Sequence, residues 1–272
     1  MRLDPTAVAA GFRLEAYDVL GSTNAEALAN ARGGDEGLLW VVAREQNAGR
    51  GRRGREWISA PGNLYATLLL SDPAPVESAP QLAFVAGLAV YDAILECARD
   101  LAEGLALKWP NDVLYANRKL AGILIESEMT AGKLAVAAGI GVNCARHPAQ
   151  TSFPATDLTA AGGKVAPESL LRVLSLTMMR RLDRWKRGAG FAAIRADWLG
   201  CATGLGRDIT VRLPGRELLG RFEGLDEAGH LLLRSADGRL QTITGGEIFP
   251  VAERASAGVD FPQRPRQEER GD

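Results

Sequence analysis

The chain is short of the residues that build metal centres and cross-links. Its three cysteines (Cys97, Cys144 and Cys201) are far apart, odd in number and without metal-ligand spacing. They read as free thiols in a reducing compartment, not as a disulfide framework. The two histidines, His147 and His230, form no cluster, so no zinc site is expected. An excess of positive charge is also missing. The formal net charge is −1, which argues against a dedicated nucleic-acid binder, whose footprint is a basic surplus. No apolar N-terminal segment with a cleavage site stands out, and no run of membrane-spanning length. A cytoplasmic protein with no membrane partner is the expectation. What remains, 46% hydrophobic and 24% charged residues over 272 positions, is ordinary for a soluble globular chain of one large domain, or a large one plus a small one.

Against that background one stretch is unusual: Gly49-Arg50-Gly51-Arg52-Arg53-Gly54-Arg55-Glu56-Trp57. Glycines allow positive φ and close backbone approach, and guanidinium forks suit phosphate or carboxylate oxygens. The spacing fits G-x-G-x-x-G, but a dinucleotide fold needs a helix to open at the loop. Here Ser59-Ala60-Pro61-Gly62-Asn63 follows, which breaks structure, and no Gly-Lys-Ser/Thr follows to make a Walker loop. Two readings stay open from the loop alone: a phosphate clamp, or a solvated Arg/Gly stretch that touches nucleic acid non-specifically.

The remaining motifs come in order. Thr23 with Glu26 three residues on reads as a capping box at the start of a helix. Ser22, Thr23 and Asn24 either start that helix or also offer polar groups to a small ligand. Residues 38–43 and 63–70 read as strands, with Gln46 just beyond the first, and the apolar spacing from Ser78 to Ala102 predicts a scaffold helix. Residues 105–126 read as a hairpin turning at Asn117-Arg118. Lys108 and Lys119 lie in its apolar arms, where each needs a bound anion or must snorkel to the surface. In the strand 134–143, Gly139 and Gly141 fall on one face and leave it bare. Helices are expected at 167–187 and 191–199. Beyond Gly200, short strands at 209–213, 217–225, 231–234 and 240–244 suggest a small barrel. The polar, proline-containing residues 254–272 read as a disordered tail.

The order of these motifs resembles the biotin protein ligases. Ser22-Thr23-Asn24 comes first, then Gln46 with the Gly/Arg loop, then Lys108-Trp109-Pro110-Asn111-Asp112. Arg118-Lys119-Leu120-Ala121-Gly122-Ile123-Leu124 and Gly139-Ile140-Gly141-Val142-Asn143 complete the set. The resemblance implies an α+β fold with a mixed β-sheet flanked by helices, as in biotin/lipoate ligases and class II aminoacyl-tRNA synthetases. It places the catalytic domain at 1–199 and an SH3-like β-barrel at 200–253. It implies that biotin and ATP, with Mg²⁺, form biotinyl-5′-AMP, and that biotin then passes to a lysine of a biotin carboxyl carrier protein.

The resemblance also assigns roles. Ser22, Thr23, Asn24 and Gln46 would hold biotin, with Arg50 and Gly51 closing over it and Gly122 and Gly141 giving close backbone approach. Arg52 and Lys119 would act on the biotin carboxylate and the α-phosphate, with Arg50 beside them as a third catalytic cation. Arg53, Arg55, Trp57, Lys108, Asn111 and Asn143 would serve the nucleotide, and Asp112 the magnesium. The Ser-Thr-Asn motif begins by residue 22, so no DNA-binding domain, and no DNA, is expected. Monomer and homodimer both stay open. A lipoate or other acyl-carrier ligase fits the Gly/Arg loop and Lys-Trp-Pro-Asn-Asp less well. A non-enzymatic nucleic-acid module is disfavoured by the charge balance and by the lack of aromatics within the loop.

Overall fold

The computed structural model describes residues 1–151 and 153–251; the expected tail at 254–272 lies outside the described residues. The apolar runs become central strands because both of their faces are covered, which is why they read as near-continuous hydrophobic sequence. Seven strands form the larger sheet: β1 (Arg13–Leu20), β2 (Gly37–Gln46), β3 (Leu64–Ser71), β4 (Leu105–Lys108), β5 (Asp112–Tyr115), β6 (Arg118–Thr130) and β7 (Lys133–Val142). Their order is β1-β2-β3-β7-β6-β5-β4. Only β1 and β2 run parallel, and the other neighbours are antiparallel.

Side-chain alternation divides the sheet into two faces. Trp40, Val42, Leu64, Leu68, Ile123, Val136 and Val142 point into the main core with residues of α3 (Leu82–Cys97), α4 (Pro167–Trp185) and α5 (Phe191–Gly200). Leu39, Val41, Leu69, Ala135 and Ala137 point the other way, under Ala27, Leu28 and Ala31 of α2 (Thr23–Arg32). Among the described residues α2 is the one helix on the second face, and the site lies at its N-terminus.

Several details differ from expectation. Residues 1–16, unremarkable in sequence, supply a short helix, α1 (Pro5–Ala9), and the first half of the parallel edge strand β1. β2 runs through Gln46, so that residue ends the strand rather than following it. Ser22, not Thr23, caps α2. It is extended at φ −156° and its hydroxyl accepts from Ala25 N at 3.5 Å, because the Thr23 hydroxyl is engaged by Gln46 and Thr67. The segment Val76–Cys97, 22 residues, is long and apolar enough by composition to cross a membrane, contrary to the sequence reading. Its buried residues pack into the main core, as the core helix of a globular fold does.

The largest correction is the expected barrel. The C-terminal strands β8 (Asp208–Leu213), β9 (Arg216–Leu225), β10 (Leu231–Arg234), β11 (Leu240–Ile243) and β12 (Glu247–Pro250) form an open antiparallel sheet in the order β11-β10-β9-β8-β12. Closure requires the two edge strands to pair, and β11 and β12 do not. Both are four residues long, and the residues at the start of β12 are engaged by the arginine loop instead, as described below. Trp109 ties this sheet to the larger one, its indole N–H donating to Gly229 O at 3.1 Å.

Candidate active site

The floor of the site is a set of paired backbone positions on the α2 side of β6 and β7. Register places Gly122 opposite Gly141, Leu124 opposite Gly139, and Glu126 opposite Ala137. Along β7 the side chains shrink toward the start of α2, from Ala135 and Ala137 to Gly139 and Gly141. At Gly139 a Cβ would run into the side-chain amide of Asn24. At Gly141 it would lie 2.5 Å from the Trp57 indole, and at Gly122 2.9 Å from the same ring. The bare floor expected to admit a ligand therefore carries the Trp57 ring in this structure. That placement leaves the Trp57 Nε1 buried and without a hydrogen-bond partner.

At the start of α2 the polar side chains satisfy one another. Gln46 Oε1 accepts from Thr23 N (2.8 Å) and the Thr23 hydroxyl (3.1 Å), and Gln46 Nε2 donates to Ser59 Oγ (2.9 Å). Thr67 Oγ1 donates to Asn24 Oδ1 at 2.6 Å and lies 2.8 Å from the Thr23 hydroxyl. Such a buried, mutually bonded cluster is rigid and presents fixed donors and acceptors.

The Gly/Arg loop folds as a short flap. Gly51 N donates to Arg55 O (2.7 Å), and Trp57 N to Gly49 O (3.0 Å). Arg53 (φ 59°) and Gly54 (φ 71°) turn the tip through the left-handed region, which only glycine adopts freely. The tightest approach in the flap is at Gly49, where a Cβ would sit 2.5 Å from Trp57 O. At Gly51, expected to approach biotin closely, a Cβ would meet nothing nearer than Arg55 O at 3.5 Å. Each inward arginine has a separate anchor. Arg50 reaches Glu126, Arg52 Nη1 donates to Asn111 Oδ1 (3.0 Å) and Gly246 O (3.4 Å), and Arg55 pairs with Glu247 at 2.5 Å. Burial and the neighbouring Arg53 pull the Arg52 guanidinium below its usual pKa, with Asp112 and Glu247 partly opposing. A cation held this way gains from an anion brought beside it.

Opposite the flap, both hairpin lysines share one carboxylate. Lys119 Nζ lies 2.6 Å from Asp112 Oδ1, and Lys108 Nζ 3.2 Å from Asp112 Oδ2. The first contact is a close ion pair without hydrogen-bond alignment. Burial alone would raise the Asp112 pKa, but the charges of Lys119 and Lys108 outweigh it and hold the carboxyl below its ordinary value. Lys108 is pushed down by desolvation, partly offset by Asp112, and its ammonium lies 3.8 Å from the Phe153 ring centroid and 5.5 Å from that of Phe249. Sequence reasoning offered these lysines a bound anion or the surface and missed the internal counter-ion.

Asp112 is therefore a poor fit for the magnesium expected of it. A cation there would meet two ammonium groups, whereas Mg²⁺ favours free carboxylates and phosphates. Among the described residues no group of three or more His, Cys, Asp or Glu could hold a metal ion. Asn143 donates to Thr156 O (3.0 Å) and Asn111 to Ile123 O (2.6 Å), so both amides brace loops at the cleft wall.

Flap, hairpin and α2 start enclose one cavity of about 330 Å³, within the range of small-molecule sites. Ser22, Thr23, Asn24, Gln46, Arg50, Gly51, Arg52, Arg55, Trp57, Lys108, Asn111, Asp112, Lys119, Gly122, Gly141 and Asn143 all line it. Of the residues singled out from sequence only Arg53, exposed at the flap tip, does not. Phe153, Glu126 and Glu247 were not anticipated. Phe153 and Glu247 also line the cavity, and Glu126 holds a lining arginine.

A cleft lined by fixed cations over a glycine floor, on a mixed sheet, defines a site for bringing two anions together. The model of the Biotin/lipoate A/B protein ligase family matches residues 22–143, and that of the Biotin protein ligase C terminal domain matches 204–249. The biotin--[acetyl-CoA-carboxylase] ligase of Paracoccus denitrificans is 46% identical over 239 residues, covering 84% of this chain and 96% of that protein. The bifunctional ligase/repressor BirA of Bacillus subtilis is 35% identical, covering 84% of this chain and 71% of that protein. Among solved structures, the biotin protein ligase of Aquifex aeolicus in complex with biotin and ATP superposes with a TM-score of 0.72 at 28% identity, covering 87% of this chain and 97% of that one. The chain belongs to the biotin protein ligase family.

Proposed function

We infer that the protein is an ATP-dependent biotin protein ligase, which forms biotinyl-5′-AMP and passes the biotin to a lysine of a carrier protein. The observation that carries this reading is the meeting of Arg52 and Lys119 in one cavity with the Ser22-Thr23-Gln46 cluster. In the first step a biotin carboxylate oxygen bonds to the α-phosphorus of ATP and pyrophosphate leaves. In the second the carrier lysine attacks the acyl carbon and AMP leaves.

Both reactants of the first step are anions, so the main need is positive charge fixed in advance where negative charge gathers. Arg52 and Lys119 fill that need. Asp112 sits between the two lysines and aims them, and Asn111 orients Arg52. Ser22, Thr23 and Gln46 present their polar atoms to the biotin ring, with Arg50 and Gly51 above it. Trp57 on its glycine seat offers a flat surface to the adenine, while Lys108, Arg55 and Asn143 border the nucleotide. Magnesium enters as part of the Mg-ATP substrate. The carrier is a biotin carboxyl carrier protein or a related carboxylase domain.

The test is mass spectrometry of purified protein incubated with biotin and Mg-ATP. A retained mass equal to biotinyl-5′-AMP, formed only when both substrates are present, is expected. Protein that yields no adenylate under these conditions contradicts the reading.

A further inference from the structure

Glu126 stands outside the roles described so far. It lies on the site face of β6, two residues past Leu124 and four past Gly122, opposite Ala137. One terminal nitrogen of Arg50 is 3.1 Å from one Glu126 oxygen and 3.0 Å from the other. The same carboxylate accepts from Asn24 Nδ2 at 2.8 Å. Asn24 also donates to Leu124 O (3.2 Å) and accepts from Thr67. The Glu126 carboxylate is thus fixed to the buried cluster beneath the start of α2. Both carboxylate oxygens, including the Oε2 held by Asn24, face the first arginine of the flap.

We propose that Glu126 is a positioning residue that latches the flap over the cleft through Arg50, so that the lifetime of the bound intermediate depends on it. This proposal rests on the ligase reading above. The Glu126 and Arg50 side chains are 30% and 44% exposed, and an isolated pair at such a position contributes little. This pair is not isolated. Asn24 holds the carboxylate, so little side-chain freedom is lost when Arg50 docks. At the other end of the flap Arg55 is paired with Glu247. With both ends held, water is kept from the reactive acyl phosphate that the cleft would contain.

The test is a double-mutant cycle on the release of biotinyl-5′-AMP from preformed complex, followed with radiolabelled adenylate, using wild type, Glu126→Gln, Arg50→Ala and the double variant. Glutamine keeps an oxygen for Asn24 and removes only the charge. Glu126→Gln should release the adenylate about fivefold faster, and the double variant no faster than Arg50→Ala, with melting temperatures unchanged. Release from Glu126→Gln at the wild-type rate overturns the latch alone. So do effects that multiply in the double variant, because Glu126 would then act independently of Arg50. Wild-type protein that forms no adenylate overturns the ligase reading, and the latch with it.

Discussion

On the helix-packed face of the larger sheet, β3 and β7 present Leu64, Leu68, Val136 and Val142; on the opposite face the same strands present Thr67, Ala137, Gly139 and Gly141. Residues one position apart serve different ends. The first face is filled by α3, α4 and α5, and its side chains are large, apolar and fully buried. The second is covered by α2 as far as Gly139, against which Asn24 packs. Along it the side chains are small at Ala137, polar at Thr67 and absent at Gly139 and Gly141, and past the start of α2 Trp57 and the flap fill the space. Period-two alternation thus lets one strand secure the fold with one set of residues and build a cleft with the other.

The comparison can be broken from either side. Arg52→Ala, on the cleft side, should cut biotin-dependent ATP–pyrophosphate exchange by about 100-fold or more with little change in melting temperature. Leu68→Ala, on the packed side, should reverse the pattern. It should lower unfolding free energy by about 3 kcal/mol, measured by urea titration, while exchange per folded molecule stays near wild type. If Leu68→Ala reduced exchange as much as Arg52→Ala, the two faces would not be separable.

Asp112→Asn should blur the division, because it leaves Lys108 buried without its counter-ion at a cost of about 3 kcal/mol. The pH dependence follows from the sign of the shift. The folded Asp112 carboxyl titrates below its ordinary value, so its contribution is fully present above about pH 4 and is lost as pH falls through the lower folded value. Urea titrations between neutral pH and about pH 3 should show that acid-limb contribution in wild type and its removal in Asp112→Asn. Gly141→Ala is the smallest change. Its Cβ would displace Trp57, for about 1 kcal/mol and a shifted tryptophan emission. Unaltered emission would mean the ring does not rest on Gly141.

What could be read in advance follows the range over which each signal acts. The strands showed themselves because burial on both faces leaves continuous apolar runs, and the bare floor because Gly139 and Gly141 are two apart. The flap was visible from composition alone. Contacts between distant segments were not. Glu126 meets Arg50 across 76 positions and Asn24 across 102, and nothing local marks it. Asp112 was visible as a residue, but its service to two lysines depends on hairpin register. The open C-terminal sheet was missed for the same reason: short strands and turns announce a small β unit, whereas closure depends on whether β11 and β12 meet. The assignment of the helix cap to Thr23 failed because its hydroxyl is held by Gln46, 23 residues away, over a local preference.

The central claim, that the hairpin lysine and the flap arginines act on one pair of reacting anions, is tested most directly by biotin-dependent pyrophosphate exchange with Lys119→Ala. The account predicts a loss of about 100-fold or more at saturating substrates, counted per folded molecule. Exchange at the wild-type rate in that folded variant would contradict it.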